Sequence, residues 1–336
     1  MAPEMLFVIG APRSGTTMLE HMLSAHDAIE GGPEPHLLTP LAHLGVWDMV
    51  DKAPYDHVLA AESQKLFVSK LPNGKADYWA ACRAYCDVLY GAFMTGRSGR
   101  LCLDKTPAYA LVLPFMMRVF PDARYVVLTR HPLAMFSSFA NSFFDGDYEA
   151  AHRYNPVLER YIPAMATFLR QTDVPFIHVR YEDLVASPEL EFEKICTFIG
   201  VSNDGDAVNY GEKSGGAVAE GLGDPLGVQQ HTRPSTASLD KWVGELAHDE
   251  GKRSLMESMI AKLDPADLAV LGYPTEQLWD GLAAGASLNP PRRPRLSRYR
   301  LQRRAILVLR GRAQRHPGFR ALLKKIRLAC DVLTRE

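Results

Sequence analysis

The stretch Phe7-Val8-Ile9-Gly10-Ala11-Pro12-Arg13-Ser14-Gly15-Thr16-Thr17-Met18-Leu19 decides the fold. An apolar run enters a turn of Gly, Pro and Ser, and apolar positions at helical spacing follow. That is the pattern of a first strand, a phosphate-cradling loop and a first helix, the opening unit of an α/β domain. Gly10 and Gly15 have the spacing of G-x-x-x-x-G-K-[ST], and Thr17 stands where its hydroxyl belongs. Thr16 occupies the lysine position, so the charge that suits a nucleoside triphosphate with magnesium is missing. The turn still offers backbone N–H groups and a helix N-terminus to an anion. Arg13 restores a positive charge inside the loop, as a planar fork matched to phosphate or sulfate oxygens. The loop therefore suits a smaller anion, with no metal.

Strand, loop and helix units recur beyond it. The first helix is expected from about Thr16 to Ser24, and Ala28-Ile29-Glu30 as a short strand. Pro33 and Pro35 flank Glu34, which places this carboxylate on a stiff, non-helical turn at a strand end. Arg100 to Pro107 reads as a buried strand with a polar end carrying Lys105, followed by a helix from about Ala108 to Phe120. Arg124 to Thr129 is a clear strand, and Arg130-His131-Pro132 opens a helix carrying Ser137 and Ser138. Arg130 and Ser138 can converge on one anion, a second phosphate site. Pro175 to Leu184 gives a further strand with Tyr181 at its end, and the next helix starts at Pro188 and stops at Gly200. The expected fold is α/β: a P-loop-like, mostly parallel central sheet with helices on both faces, plus a basic helical C-terminal tail. Loops at the strand ends of such sheets line the ligand crevice.

The chain has 336 residues, 47% of them hydrophobic and 23% charged, as in soluble globular proteins. No twenty-residue apolar run or signal-peptide pattern occurs, so a cytoplasmic location is expected. Cys82, Cys86, Cys102, Cys196 and Cys330 lack paired metal spacing and read as buried thiols. Residues 37–96 are mostly helical in pattern and are expected to form part of an acceptor pocket or its lid. Residues 202–237 are glycine-rich without periodicity, and helical pattern resumes at Leu239-Asp240-Lys241-Trp242. Arg292 to Glu336 holds 15 Lys and Arg against Asp331 and Glu336. There Phe319, Leu322, Leu323, Ile326, Cys330 and Leu333 share one helical face. Such a basic amphipathic segment lies on an anionic membrane, binds an acidic partner or packs on its own acidic body. The domain reading is 1–280 for the α/β core, with an insertion around 37–96, and 281–336 for the basic extension.

An Arg-bearing loop without the P-loop lysine, joined to a later Arg…Ser site, resembles the sulfotransferases that use 3′-phosphoadenosine-5′-phosphosulfate (PAPS). The resemblance covers roughly residues 5–275 and is nearest to the tyrosylprotein sulfotransferase branch and its bacterial relatives. It implies that Pro12, Arg13, Ser14, Gly15, Thr16 and Thr17 hold the 5′-phosphosulfate, and Arg130 and Ser138 the 3′-phosphate. Tyr181 in Tyr181-Glu182-Asp183-Leu184 and Lys241 in Lys241-Trp242-Val243-Gly244 match further nucleotide contacts. Glu34 matches the general base, with His36 as the rival, and Lys105 and Arg13 match the groups that stabilise the transferring sulfonate. A serine expected before Lys241 has Ser235 and Ser238 among its counterparts. PAPS is the implied co-substrate, without metal, and the acceptor is a hydroxyl, or less readily an amine, of a small molecule, lipid or glycan. Without a membrane anchor or signal in the sequence, protein tyrosine is not the expected acceptor, and nucleic acid is not an expected partner. Two alternatives differ in class: a P-loop kinase with Asp104 as its magnesium ligand, and a non-catalytic membrane-associated nucleotide-binding protein.

Overall fold

The computed structural model describes residues 3–31, 34, 38–42, 64–171, 173–203, 205–213 and 232–285, with scattered positions between 309 and 326. The expectations for His36, for most of the basic tail with Cys330, and for much of the 37–96 and 202–237 stretches lie outside these residues.

Five strands form one sheet: β1 (Glu4–Ile9), β2 (Ile29–Glu30), β3 (Leu101–Lys105), β4 (Arg124–Thr129) and β5 (Phe176–Arg180). Their order is β2-β3-β1-β4-β5 and every pairing is parallel. β1 is central because it is apolar on both sides: Met5 to Ile9 are all buried. Alternate residues feed two separate cores. Met5, Phe7 and Ile9 join one cluster with Tyr125, Val127 and Phe136. Leu6 and Val8 join the other with Leu19, Val126 and Phe192. Both faces are therefore covered, as continuous apolar parallel strands require.

Helix limits follow local chemistry. The first helix, Thr16–Ser24, and the helix Pro188–Ile199 lie where the sequence puts them; the second stops at Gly200, in the left-handed region at φ 73°. The single helix expected over 108–120 is instead a 3₁₀ turn, Pro107–Leu111, and a helix, Leu113–Val119. Pro114 explains the break, since its ring has no N–H to donate to residue 110. Residues 205–213 are a 3₁₀ turn and a short helix, Gly205–Asn209 and Tyr210–Lys213, within the stretch read as aperiodic. The four described cysteines are buried free thiols, and burial pushes the Cys86 thiol up to about 12.

The C-terminal ends of β3, β1, β4 and β5 lie side by side, with Val8 opposite Lys105 and Thr129 opposite Arg180. Lys105, the Gly10–Gly15 loop, Arg130 and Tyr181 thus meet at one edge of the sheet, where the strand order reverses.

Candidate active site

The loop after β1 is shaped by two glycines. A Cβ on Gly10 would stand 2.5 Å from both Ser14 Oγ and Thr16 Cγ2, and one on Gly15 would stand 2.5 Å from the Tyr181 ring. Gly15 has φ 96° and Arg13 has φ 70°, a strained value for a residue with a side chain. Gly15 caps the following helix without a side-chain bond, and Gly15, Thr16, Thr17 and Met18 line a cavity of about 520 Å³. Backbone N–H groups at a helix start are anion donors by their geometry.

Pro12, Arg13, Glu34, Arg130, Ser138, Tyr181 and Lys241 line the same cavity. Ser14 does not: its hydroxyl is buried behind the loop with no partner, and its N–H closes the turn onto Ala11 O at 3.1 Å. The left-handed backbone at Arg13 turns the next side chain inward. Lys105 is also screened from the cavity, at 3% exposure. It reaches the cavity wall through two residues, donating to Thr17 Oγ1 at 3.3 Å and to Glu34 Oε1 at 2.5 Å.

The second site is joined to the first. Arg13 Nε donates to Ser138 Oγ at 3.1 Å, and Arg130 Nη1 donates to the Arg13 carbonyl at 2.9 Å. Arg130 Nη2 donates to Ser238 O at 3.1 Å, its guanidinium lies 4.4 Å over the Tyr181 ring, and its Nε is buried without a partner. An orphaned donor on a buried cation is what an incoming oxyanion would satisfy. Burial lowers the Arg130 pKa from its ordinary value.

Between the two candidate serines before Lys241 the structure makes a distinction, and it adds residues with little or no signal in the sequence. Ser238 Oγ and Tyr181 Oη are 2.8 Å apart, whereas Ser235 Oγ accepts from Ala237 N–H at 3.3 Å; both serines line the cavity. Trp242 stacks on His131 at 4.8 Å, and burial brings the His131 pKa down to about 4, so the ring is neutral. Glu245 accepts from Ser137, Asn141 and Tyr148. The i, i+4 spacings Ser137/Asn141 and Lys241/Glu245 are the only sequence hints of this cluster. Glu20, one turn into the first helix, is buried, and burial pushes its pKa up to about 7 against the opposing pull of Lys105.

Asp104 faces away from the cavity and accepts hydroxyl bonds from Tyr90 and Tyr109 in the core. It is not placed to hold a metal beside a phosphate in the loop, which removes the support for a kinase. Among the described residues no group of three His, Cys, Asp or Glu is arranged to hold a metal ion, and no helix is long and apolar enough to cross a membrane.

A parallel sheet with an anion-cradle loop on β1, an Arg/Ser pair after β4 and a Lys/Glu pair on β3 is a P-loop-like arrangement. The chain belongs to the sulfotransferase family, whose model matches residues 3–205. The nodulation protein NoeE of Sinorhizobium fredii is 27% identical over 293 residues, covering 81% of this chain and 66% of NoeE. The chain thus spans just under two thirds of that relative's length. Protein-tyrosine sulfotransferase 2 of Gallus gallus is 25% identical over 281 residues, covering 80% of this chain and 69% of the relative. The sulfotransferase domain from the curacin biosynthetic pathway shares the fold, with a TM-score of 0.50 at 21% identity, over 78% of this chain and 99% of that chain.

Proposed function

We propose that this protein transfers a sulfuryl group from PAPS to a hydroxyl of a small-molecule, lipid or glycan acceptor. The observation that carries the reading is the Lys105–Glu34 contact of 2.5 Å beside a cradle that lacks the P-loop lysine and is hydrogen-bonded to a second arginine site. One site suits the 5′-phosphosulfate and the other the 3′-phosphate.

In this reading the loop N–H groups, Thr16 and Thr17 hold the 5′-phosphate, and Arg130 and Ser138 hold the 3′-phosphate. Glu34 takes the acceptor proton as the acceptor oxygen bonds to sulfur. The bond from sulfur to the bridging oxygen breaks, and 3′-phosphoadenosine-5′-phosphate (PAP) leaves. Lys105 and Arg13 offset the charge that grows on the sulfonate and bridging oxygens. Lys105 must turn from Glu34 toward the sulfonate, and Thr17 Oγ1 at 3.3 Å supports that path. Under the same proposal the protein works in the cytoplasm, and its basic C-terminal segment meets the inner face of a membrane. The exposure of Leu322 and Ile326 supports that contact.

Thermal unfolding with PAP, set against ATP with magnesium, tests the reading. A ligand at a hundred times its dissociation constant adds about 2.7 kcal/mol, so a rise in Tm of several degrees is expected with PAP. A rise with ATP and magnesium alone would overturn it.

A further inference from the structure

β3 carries two charged residues in succession, and their side chains leave opposite faces of the strand. Lys105 meets the Glu34 carboxylate directly. Asp104, 1% exposed, turns into the core. There Tyr90 Oη and Tyr109 Oη both donate to its Oδ2, at 2.5 and 2.9 Å, and Thr106 Oγ1 donates to Oδ1 at 3.4 Å. The two tyrosines differ in one respect. Tyr109 Oη also accepts the backbone N–H of Leu38 at 3.2 Å. Leu38 opens the helix Leu38–Ala42 and lies four positions beyond Glu34.

A phenol has one proton. With that proton committed to Asp104, only lone pairs are left to face Leu38, so the carboxylate fixes Tyr109 as an acceptor toward the segment that bears Glu34. Resting on the sulfotransferase reading for the role of Glu34, we propose that Tyr109 is a positioning residue, which holds Glu34 against Lys105 by anchoring Leu38. One short strand therefore clamps the Glu34 segment twice, through Lys105 on the side chain and through Asp104 and Tyr109 on the backbone. A displacement of about 1 Å at a reacting group is worth up to about 10²-fold in rate, so such a clamp has a kinetic effect.

Tyr109→Phe and Tyr90→Phe, made separately, test the proposal. Each removes one donor to Asp104 and keeps its ring, Tyr109 against Phe7 and Tyr90 against Phe120. Only Tyr109→Phe releases Leu38 N–H. Four quantities are read in wild type and both variants: hydrogen exchange of the 38–42 amides, the labelling rate of Lys105 by an N-hydroxysuccinimide ester, the Kd for PAP, and release of PAP from PAPS with water as acceptor. In Tyr109→Phe, exchange and labelling are expected to accelerate several-fold. PAP release should lose about 10- to 100-fold in kcat, with KM for PAPS within about twofold. Tyr90→Phe should match wild type. Two variants that behave alike, both changed or both unchanged, would overturn the proposal. Wild type without affinity for PAP would instead sink the sulfotransferase reading, and exchange and labelling would still decide whether the clamp exists.

Discussion

Arg13 Nε donates to Ser138 Oγ at 3.1 Å, across 125 positions of chain. The β1 loop and the helix after β4 are thereby tied together in the free protein, each supplying an anion-seeking group to the other. Under the proposed function, an incoming nucleotide with phosphates at both ends would replace this contact with charge-assisted bonds. Ser138→Ala should weaken PAP by about 10-fold, the worth of one hydrogen bond to a charged group. Adenosine 5′-monophosphate, which has no 3′-phosphate, should be much less affected. Calorimetric titration of both nucleotides checks this, and an equal loss for the two would move the 3′-phosphate away from Ser138.

Glu34 is the one described carboxylate on the cavity wall beside Lys105. Glu34→Gln keeps the shape and removes the proposed base, so turnover should fall about 10²–10⁴-fold while PAP affinity stays nearly constant. Steady-state rates with radiolabelled PAPS, beside PAP titrations, measure both. Full activity in the variant would take Glu34 out of the mechanism.

Gly15 combines φ 96° with a Tyr181 ring carbon 2.5 Å from where a Cβ would lie. Tyr181 cannot yield easily, because Arg130 lies over its face and Ser238 holds its hydroxyl. Gly15→Ala should cost about 1–3 kcal/mol of stability and abolish PAP binding. Gly200→Ala, with φ 73° and its nearest contact 3.8 Å away, should cost about 1 kcal/mol and leave PAP binding intact. Urea unfolding with and without PAP separates the two cases.

Burial raises the folded-state pKa of Glu20 to about 7, from 4.5 for the free side chain. Between these values the folded protein holds a proton that the unfolded chain has released, so stability falls as pH rises through the window. Above pH 7 the loss is complete, at about 3 kcal/mol. Glu20→Gln should therefore gain stability over wild type from pH 5 to 8, with little gain at the acid end. Urea midpoints across that range give the difference, and a gain independent of pH would rule out a buried carboxylate as its source.

The β1 loop, the Arg124–Thr129 strand, Arg130, Ser138 and the stop at Gly200 were legible because each is written in adjacent residues: an apolar run, a glycine, a proline or a strand-end cation. Glu245 and Tyr109 were not, since their partners lie 108 and 71 positions away, and Ser238 was legible only as one of two candidates, its partner Tyr181 lying 57 positions away. Nothing local distinguishes Ser238 from Ser235 until Tyr181 is seen across the cavity. Asp104 misled in the opposite sense. Its place at a strand end fits a metal ligand, yet Tyr90, from a helix that the sequence did not connect with it, draws it into the core. Pro114 was plainly visible in the sequence, but a periodic apolar pattern ran through it.

β1 is the middle strand, yet its neighbours come late in the chain: Glu4 pairs with Leu101, and Leu6 with Arg124. A strand buried on both sides cannot be stable until both flanks exist, and long-range parallel pairing is slow because loop entropy is lost before contacts form. On a ribosome the anion cradle, encoded before both of its flanking strands, would stay shapeless until residues near 129 had emerged. Through that interval Met5 to Ile9 form an exposed, sticky β segment that a chaperone would have reason to cover.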